Sequence, residues 1–341
     1  MKYLLCYPLG GFLDNLSVIS VCYAYCKKFN RILLIKFKDS TSYPMNFHDY
    51  FYFNKKCQVK IISDNDTIDR ILLKNKNSLI PSYLKDYIID FKFCYVKNDL
   101  DQKIGFKWIY DKLNRPLNID FNLNYNENVI TYVNCARTVN ANYNTKYNIF
   151  EMIEFKNNIL ADFYSKYSKL PANYLSIQIR NSDRNCDYEK LINDNIDKIK
   201  KKDFIFIATD DKFCLEFFNK KNLPYKCFTY FPKNIKENDS YALYKYDTDI
   251  KIKDTISDLL ILMLSDEILS NSEGNFILLA KQYHQKKIVY EKTLYKIKEL
   301  GDIITLGQNY ENYLKNKKKK HNIINKKNKS LLAFIKSKRK F

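Results

Sequence analysis

The chain has 341 residues, 46% of them hydrophobic, enough to bury the cores of two ordinary domains and too much for a small single-core binding module. Aromatic residues supply much of that apolar content, with 29 Tyr and 23 Phe, whereas only 6 Gly and 7 Pro make each glycine unusually informative. A net charge of +20 raises nucleic-acid binding, but twelve Lys and Arg and no acid fall between Lys315 and the carboxyl terminus, which leaves +8 for everything before it.

Met1 to Cys6 holds one lysine and a short apolar run with no small-residue cleavage site, so residues 3 to 8 read as a first strand and not as a secretion signal. Gly10 to Asn15 reads as a turn. Leu16 to Phe29 reads as a helix with Leu16, Ile19, Ser20, Tyr23 and Cys26 on one face, and Ile32 to Phe37 as a second strand. Strand, glycine turn, helix and strand make the βαβ unit of a parallel sheet. Residues 40 to 148 are looser, with short apolar runs at 59–62, 87–91 and 129–133. Ile149 to Tyr167 has helical period throughout and predicts a crossover between domains.

A second α/β series follows. Strands are expected at Tyr174–Ile179, Phe204–Ala208, Lys226–Phe228 and Glu267–Ser270, with helices at Tyr188–Lys200, Lys212–Lys220, Thr255–Ser265 and Asn275–Gln282. No stretch reaches the roughly 20 apolar residues of a membrane-spanning helix. The expected division is 1–165, 166–300 and a basic segment 301–341. In that last segment the apolar patch Leu331-Leu332-Ala333-Phe334-Ile335 lies among lysines, a composition suited to an amphipathic helix on an anionic membrane face. A solvated tail and a nucleic-acid contact are the competing readings. Nine scattered cysteines, none in CxxC spacing, and three histidines read as reduced residues of a cytosolic protein without structural zinc.

Three constellations can carry chemistry. Leu175 to Arg184 is an alternating strand that ends in Arg180, with Asp183 three residues on, where a parallel sheet presents its ligands. Such an arginine can grip a diphosphate through its fixed fork, or close a loop by pairing with the aspartate. Phe204 to Asp211 is an apolar strand ending in Thr209-Asp210-Asp211; the two carboxylates can hold a metal, accept from a sugar or base, or cap the next helix. Asp258 to Phe276 reads as helix, short strand and the polar turn Ser270-Asn271-Ser272 opening another helix. That turn is either a phosphate seat or an ordinary cap.

In order and spacing these elements resemble the fucosyltransferase superfamily, from about Tyr3 to about Tyr283. Gly10-Gly11-Phe12-Leu13-Asp14-Asn15-Leu16 is similar to the family's Gly-Gly-Leu-Gly-Asn-Gln-Leu turn, with Asp14 at its Asn and Asn15 at its Gln. Ile177 to Asp183 is similar to the His-x-Arg-Arg-x-Asp signature, with Gln178 at its His and Asn181 at its second Arg. Ala208-Thr209-Asp210-Asp211 matches a donor-site motif of the nodulation and α1,6 enzymes, and Ser270-Asn271-Ser272 that of the α1,2 enzymes. The resemblance implies a GT-B fold: two Rossmann-like domains facing a cleft, acceptor side first and nucleotide-sugar side second.

It further implies an inverting, metal-independent glycosyltransferase without a cofactor, moving a sugar, fucose from GDP-fucose, to a glycan or lipid-linked glycan of a bacterial surface polysaccharide. Arg180, Asp14 and Asp183 are the expected catalytic residues. Gly10, Gly11, Asn15, Arg184, Asp210, Asp211, Ser270, Asn271 and Ser272 are the expected substrate contacts, and no nucleic-acid partner is expected. Asp14 is the first candidate base, with Asp187 and Glu189 as rivals. A transferase using another nucleotide sugar, and a degenerate GT-B scaffold in an envelope-assembly complex, are the alternatives. Localisation is expected in the cytoplasm, peripheral on the inner membrane face.

Overall fold

A computed structural model of the chain describes residues 1–8, 12–37, 47–85, 88, 93–95, 109–111, 119–134, 149–181, 186–232 and 247–299. The first half runs β1 (Tyr3–Pro8), α1 (Phe12–Phe29), β2 (Ile32–Ile35), β3 (Phe51–Phe53), β4 (Ile61–Ile62), α2 (Asn65–Asn75), β5 (Leu79–Ile80), β6 (Phe93–Tyr95), β7 (Ile109–Asp111) and β8 (Val129–Asn134). Next come α3 (Ile149–Met152), β9 (Ile153–Phe155) and α4 (Asn157–Tyr167). The second half runs β10 (Leu175–Ile179), α5 (Tyr188–Asp194), α6 (Ile196–Lys200), β11 (Ile205–Thr209), α7 (Cys214–Lys220), β12 (Tyr225–Lys226), α8 (Thr248–Leu264), β13 (Glu267–Leu269), α9 (Asn275–Tyr283), α10 (Lys287–Lys292) and α11 (Leu294–Glu299).

Two wholly parallel sheets form, in the orders β4-β2-β1-β8-β5 and β12-β11-β10-β13. Parallel sheets need both faces covered, which is why β1 and β11 are near-continuous apolar runs, while β10 alternates Leu, Ser, Ile, Gln and Ile yet is buried along its whole length. Period two still sorts the side chains. Leu4 and Cys6 of β1 join the cluster around α1, while Leu5 and Tyr7 turn to the cluster under α2. On the second sheet Leu175, Ile177, Ile179, Ile205 and Ile207 face α5, α6 and α7. Phe206 and Ala208 face the other way, into the cluster that also holds α1, α4, α8 and α9. The largest apolar cluster thus contains residues of both halves of the chain.

Each sheet has its first strand, β1 or β10, beside a strand that comes later in the chain than the next two. Strand order therefore reverses next to β1 and next to β10, and crevices open at such switch points outside the strand carboxyl ends. Among the described residues no helix is long and apolar enough to cross a membrane.

The structure corrects several sequence boundaries. Ile149–Tyr167 is not one helix: Ile153–Phe155 leaves it to pair antiparallel with Phe51–Phe53, where Phe51 and Phe155 bring their ring centroids to 5.6 Å. Tyr188–Lys200 breaks at Asn195, whose Nδ2 donates to the carbonyl of Leu191 at 2.8 Å. Helix α8 begins at Thr248, seven residues before the expected Thr255. Asp247 caps it by accepting from the amides of Asp249 and Ile250. Alternation in Ile250-Lys251-Ile252-Lys253 had hidden that first turn. Helix α1 begins at Phe12, so Asp14 and Asn15 lie in a helical first turn and not in the loop before it.

Candidate functional site

Arg180 is the residue after β10, half-buried at the carboxyl edge of the second sheet. Its Nη1 lies where a Cβ built on Gly274 would be only 3.1 Å away, so the guanidinium rests against the backbone that caps α9. Gly274 has φ −71° and ψ 160°, an extended conformation open to any residue. Glycine therefore serves here for closeness, not for backbone freedom.

The approach to α9 is a chain of side-chain turns. Ser270, directly after β13, donates through Oγ to Oε1 of Gln178 at 2.6 Å, and the same oxygen accepts from the amide of Ser272 at 3.0 Å. The Ser272 hydroxyl accepts from the amide of Gly274 at 3.2 Å. Each hydroxyl thus fixes the backbone two residues on. The outcome is a helix amino terminus, the positive end of its dipole, delivered beside a permanent cation at a switch point. Asn271 is exposed and ties the turn to α5 by donating to the carbonyl of Asp187 at 3.1 Å.

From the first half, Asp14 reaches the same place. Its Oδ1 accepts from Nδ2 of Asn275, the first residue of α9, at 2.8 Å. The first turn of α1 and the first turn of α9 therefore meet, and the crevices of the two sheets open on a common region. Asn15, 4% exposed beside Asp14, has a buried Oδ1 without a hydrogen-bond partner among the described residues. Gly10, Gly11, Asp183 and Arg184 lie outside the described residues.

Asp210 and Asp211 make the capping contacts that were one of the three roles open to them in the sequence. Asp210 accepts from the amide of Asn181 at 2.8 Å. Asp211 accepts from the side-chain amide of Asn181 at 2.9 Å and from the amide of Phe213 at 2.8 Å. Asn181 in turn accepts from the amide of Cys186 at 3.3 Å. The pair shapes the Arg180 loop and the entry to α7, the capping role of such carboxylates. Asp187 also caps, accepting from the amide of Lys190 at 2.9 Å, and Glu189 sits exposed in the first turn of α5.

A second polar cluster lies beneath the sheet on α8. Lys166 bridges Asp162 and Asp254 at 2.7 Å each; burial works against its charge, the two carboxylates outweigh that, and its pKa rises. Asp254 accepts from the amide of Tyr230 at 2.7 Å and Asp258 from the hydroxyl of Thr229 at 2.8 Å, which holds the segment after β12. Asp258 keeps a buried Oδ1 without a hydrogen-bond partner among the described residues, and burial, helped by Asp254, raises its pKa to about 7. Sequence reasoning missed Gly274, Asn275 and this use of Asp258. The scarcity of glycine was the one signal that could have drawn attention to Gly274.

No family model matches the chain and no curated protein is similar to it in sequence. Its fold, by contrast, is similar to solved structures. A crystal structure of NodZ α-1,6-fucosyltransferase soaked with GDP-fucose is 16% identical, with 83% of this chain and 92% of that chain covered at a TM-score of 0.56. NodZ co-crystallised with GDP is 16% identical, covering 82% and 91% at 0.55. Fucosyltransferase NodZ from Bradyrhizobium is 15% identical, covering 82% and 92% at 0.54. The fold is therefore GT-B, as expected from the sequence.

Proposed function

We propose that the chain is a glycosyltransferase that moves fucose from GDP-fucose to a glycan acceptor. The observation that carries this reading is the seating of Arg180 against Gly274 at the amino terminus of α9, with Asp14 brought to the next residue from the other half. A cation beside a helix amino terminus suits a nucleoside diphosphate leaving group. Both interact more strongly with the diphosphate as its bond to the sugar breaks and negative charge grows on it. The similar NodZ structures, described with GDP-fucose and with GDP, support that nucleotide.

The residues then divide the work. Arg180 and the first turn of α9 hold the diphosphate, with the Ser270–Ser272 turn fixing that helix end. An acceptor hydroxyl attacks the anomeric carbon from the opposite face. The new oxygen–carbon bond forms as the carbon–phosphate oxygen bond breaks, configuration inverts, and the hydroxyl proton passes to the carboxylate of Asp14. The cationic helix end and guanidinium offset the leaving-group charge without calling on a metal. The acceptor, a glycan or lipid-linked glycan of a surface polysaccharide, is read by the first half. The segment 315–341 rests on the anionic cytoplasmic face of the membrane.

A second reading, a nucleotide-sugar binding scaffold, is favoured by one feature: Asn181, Asp210 and Asp211 spend their polar groups on each other and on loop backbone. A thermal-shift panel of GDP, GDP-fucose, UDP and CMP, followed by a transfer assay, tests the proposal. GDP and GDP-fucose at about 100 times Kd should add about 2.7 kcal/mol, a rise of roughly 4 °C, and UDP and CMP should add little. Arg180→Ala should remove both the shift and the turnover while the unliganded protein melts as before. Near-normal turnover in that variant, or no stabilisation by any nucleotide, overturns the reading. Binding without turnover selects the scaffold.

A further inference from the structure

We propose that Asn275 is a positioning residue that sets the carboxylate of Asp14 for proton transfer, an inference that rests on the transferase reading above. The two residues are 261 positions apart and belong to different halves, yet Nδ2 of Asn275 donates to Oδ1 of Asp14 at 2.8 Å. Neither helix would place its side chain alone. Asp14 leaves the first turn of α1, where a carboxylate is favoured by the helix dipole and more than one staggered rotamer is sterically allowed. Asn275 supplies one directed donor from the first turn of α9, and an amide donor can hold a carboxylate oxygen without neutralising it.

The position of Asn275 in the chain adds a second function to the bond. Asn275 follows Gly274, against which Arg180 is seated. The residue that orients the base is thus adjacent in sequence to the backbone that seats the diphosphate cation. Base and leaving-group grip are held at a fixed spacing through one peptide unit. In an in-line displacement the base and the leaving group act on opposite sides of the anomeric carbon, so their separation must be held closely for both to act in one step. Ser270, Ser272 and Gln178 brace that unit from the sheet side through the hydrogen bonds already described.

The experiment is a double-mutant cycle on the full chain with GDP-fucose as donor, reading kcat and donor KM separately. Asn275→Ala should lower kcat about tenfold and leave the donor KM within about twofold, because the diphosphate seat is backbone and Arg180. In an Asp14→Asn background the same substitution should cost kcat nothing further, since its effect on turnover runs through the carboxylate. Asn275→Asp keeps the shape and suits a helix amino terminus, so it should fold, and its charge beside Asp14 should lower kcat at least as far as alanine does. Turnover by the parent with unchanged kcat in both Asn275 variants overturns the positioning role alone. Losses that multiply across the cycle overturn it too. A parent that neither binds GDP nor turns over rejects the transferase reading and this inference together.

Discussion

Gly274→Ala separates the site from the scaffold. An alanine Cβ would stand 3.1 Å from Nη1 of Arg180 and 3.5 Å from Oγ of Ser272. The second distance is an ordinary contact, while the first is about 0.4 Å inside the usual carbon contact range of roughly 3.5–4.0 Å. Backbone strain is not at issue, since φ −71° and ψ 160° suit alanine. The guanidinium must give way by a few tenths of an ångström. If a 1 Å misplacement costs on the order of 100-fold in rate, this one should cost roughly 5- to 10-fold in kcat. Stability should barely move. Alanine restricts the unfolded chain, which adds about 0.4–1 kcal/mol, while alanine in place of glycine at the N-cap of α9 costs about as much. Steady-state transfer from GDP-fucose and a melting curve on the same preparation check both effects. Activity within twofold of the parent would show that the guanidinium seat is not used, and a Tm lowered by several degrees would show that the glycine is there for the fold.

Two further predictions concern the α8 cluster. Asp258 holds its proton up to about pH 7 in the folded chain and loses it near 3.8 when unfolded, so the parent should lose stability as pH rises from about 4 to 7. Asp258→Asn should therefore be the more stable protein at pH 8, by up to roughly 4 kcal/mol, with the gap closing towards pH 4. Parallel urea-denaturation curves across that range would refute the assignment. Lys166→Met leaves Asp162 and Asp254 without their shared cation, and a side chain only 12% exposed gives water little access, so a loss of about 3 kcal/mol is expected in urea denaturation. A loss below about 1 kcal/mol would mean that the carboxylates find other partners.

Strands β1 and β11 were legible because burial on both faces writes a near-continuous apolar run, and β10 because Leu175, Ile177 and Ile179 alternate with polar residues; the carboxyl ends of β10 and β11 located Arg180 and Asp210. What the sequence could not supply was the partner across the chain. Asn275 reads as an ordinary helix opener, and nothing local announces that it meets Asp14, because the two come together only when both helices pack on the shared core. At Asp210 and Asp211 the sequence left metal, donor and capping roles open, and the backbone amides they accept from belong to the last of these. Helix α8 was read short for a physical reason as well: a lysine at every second position imitates a half-buried strand until burial of Lys251 and Ile252 within the helix decides otherwise.

The two departures from the fucosyltransferase signature acquire a structural meaning in this light. Gln178, where the family has histidine, is 5% exposed and accepts from Ser270, so it couples β10 to the turn that ends in Gly274. Asn181, where the family has a second arginine, donates through its backbone amide to Asp210 and through its side chain to Asp211, and accepts from the amide of Cys186. An arginine has no acceptor and could not make the last of these bonds. Both residues brace the seat of Arg180, one from the sheet side and one from the residue that follows it. A transferase and a nucleotide-sugar binding scaffold would both be served by a guanidinium held this closely against a helix end, so turnover in the parent, and not binding alone, separates the two readings.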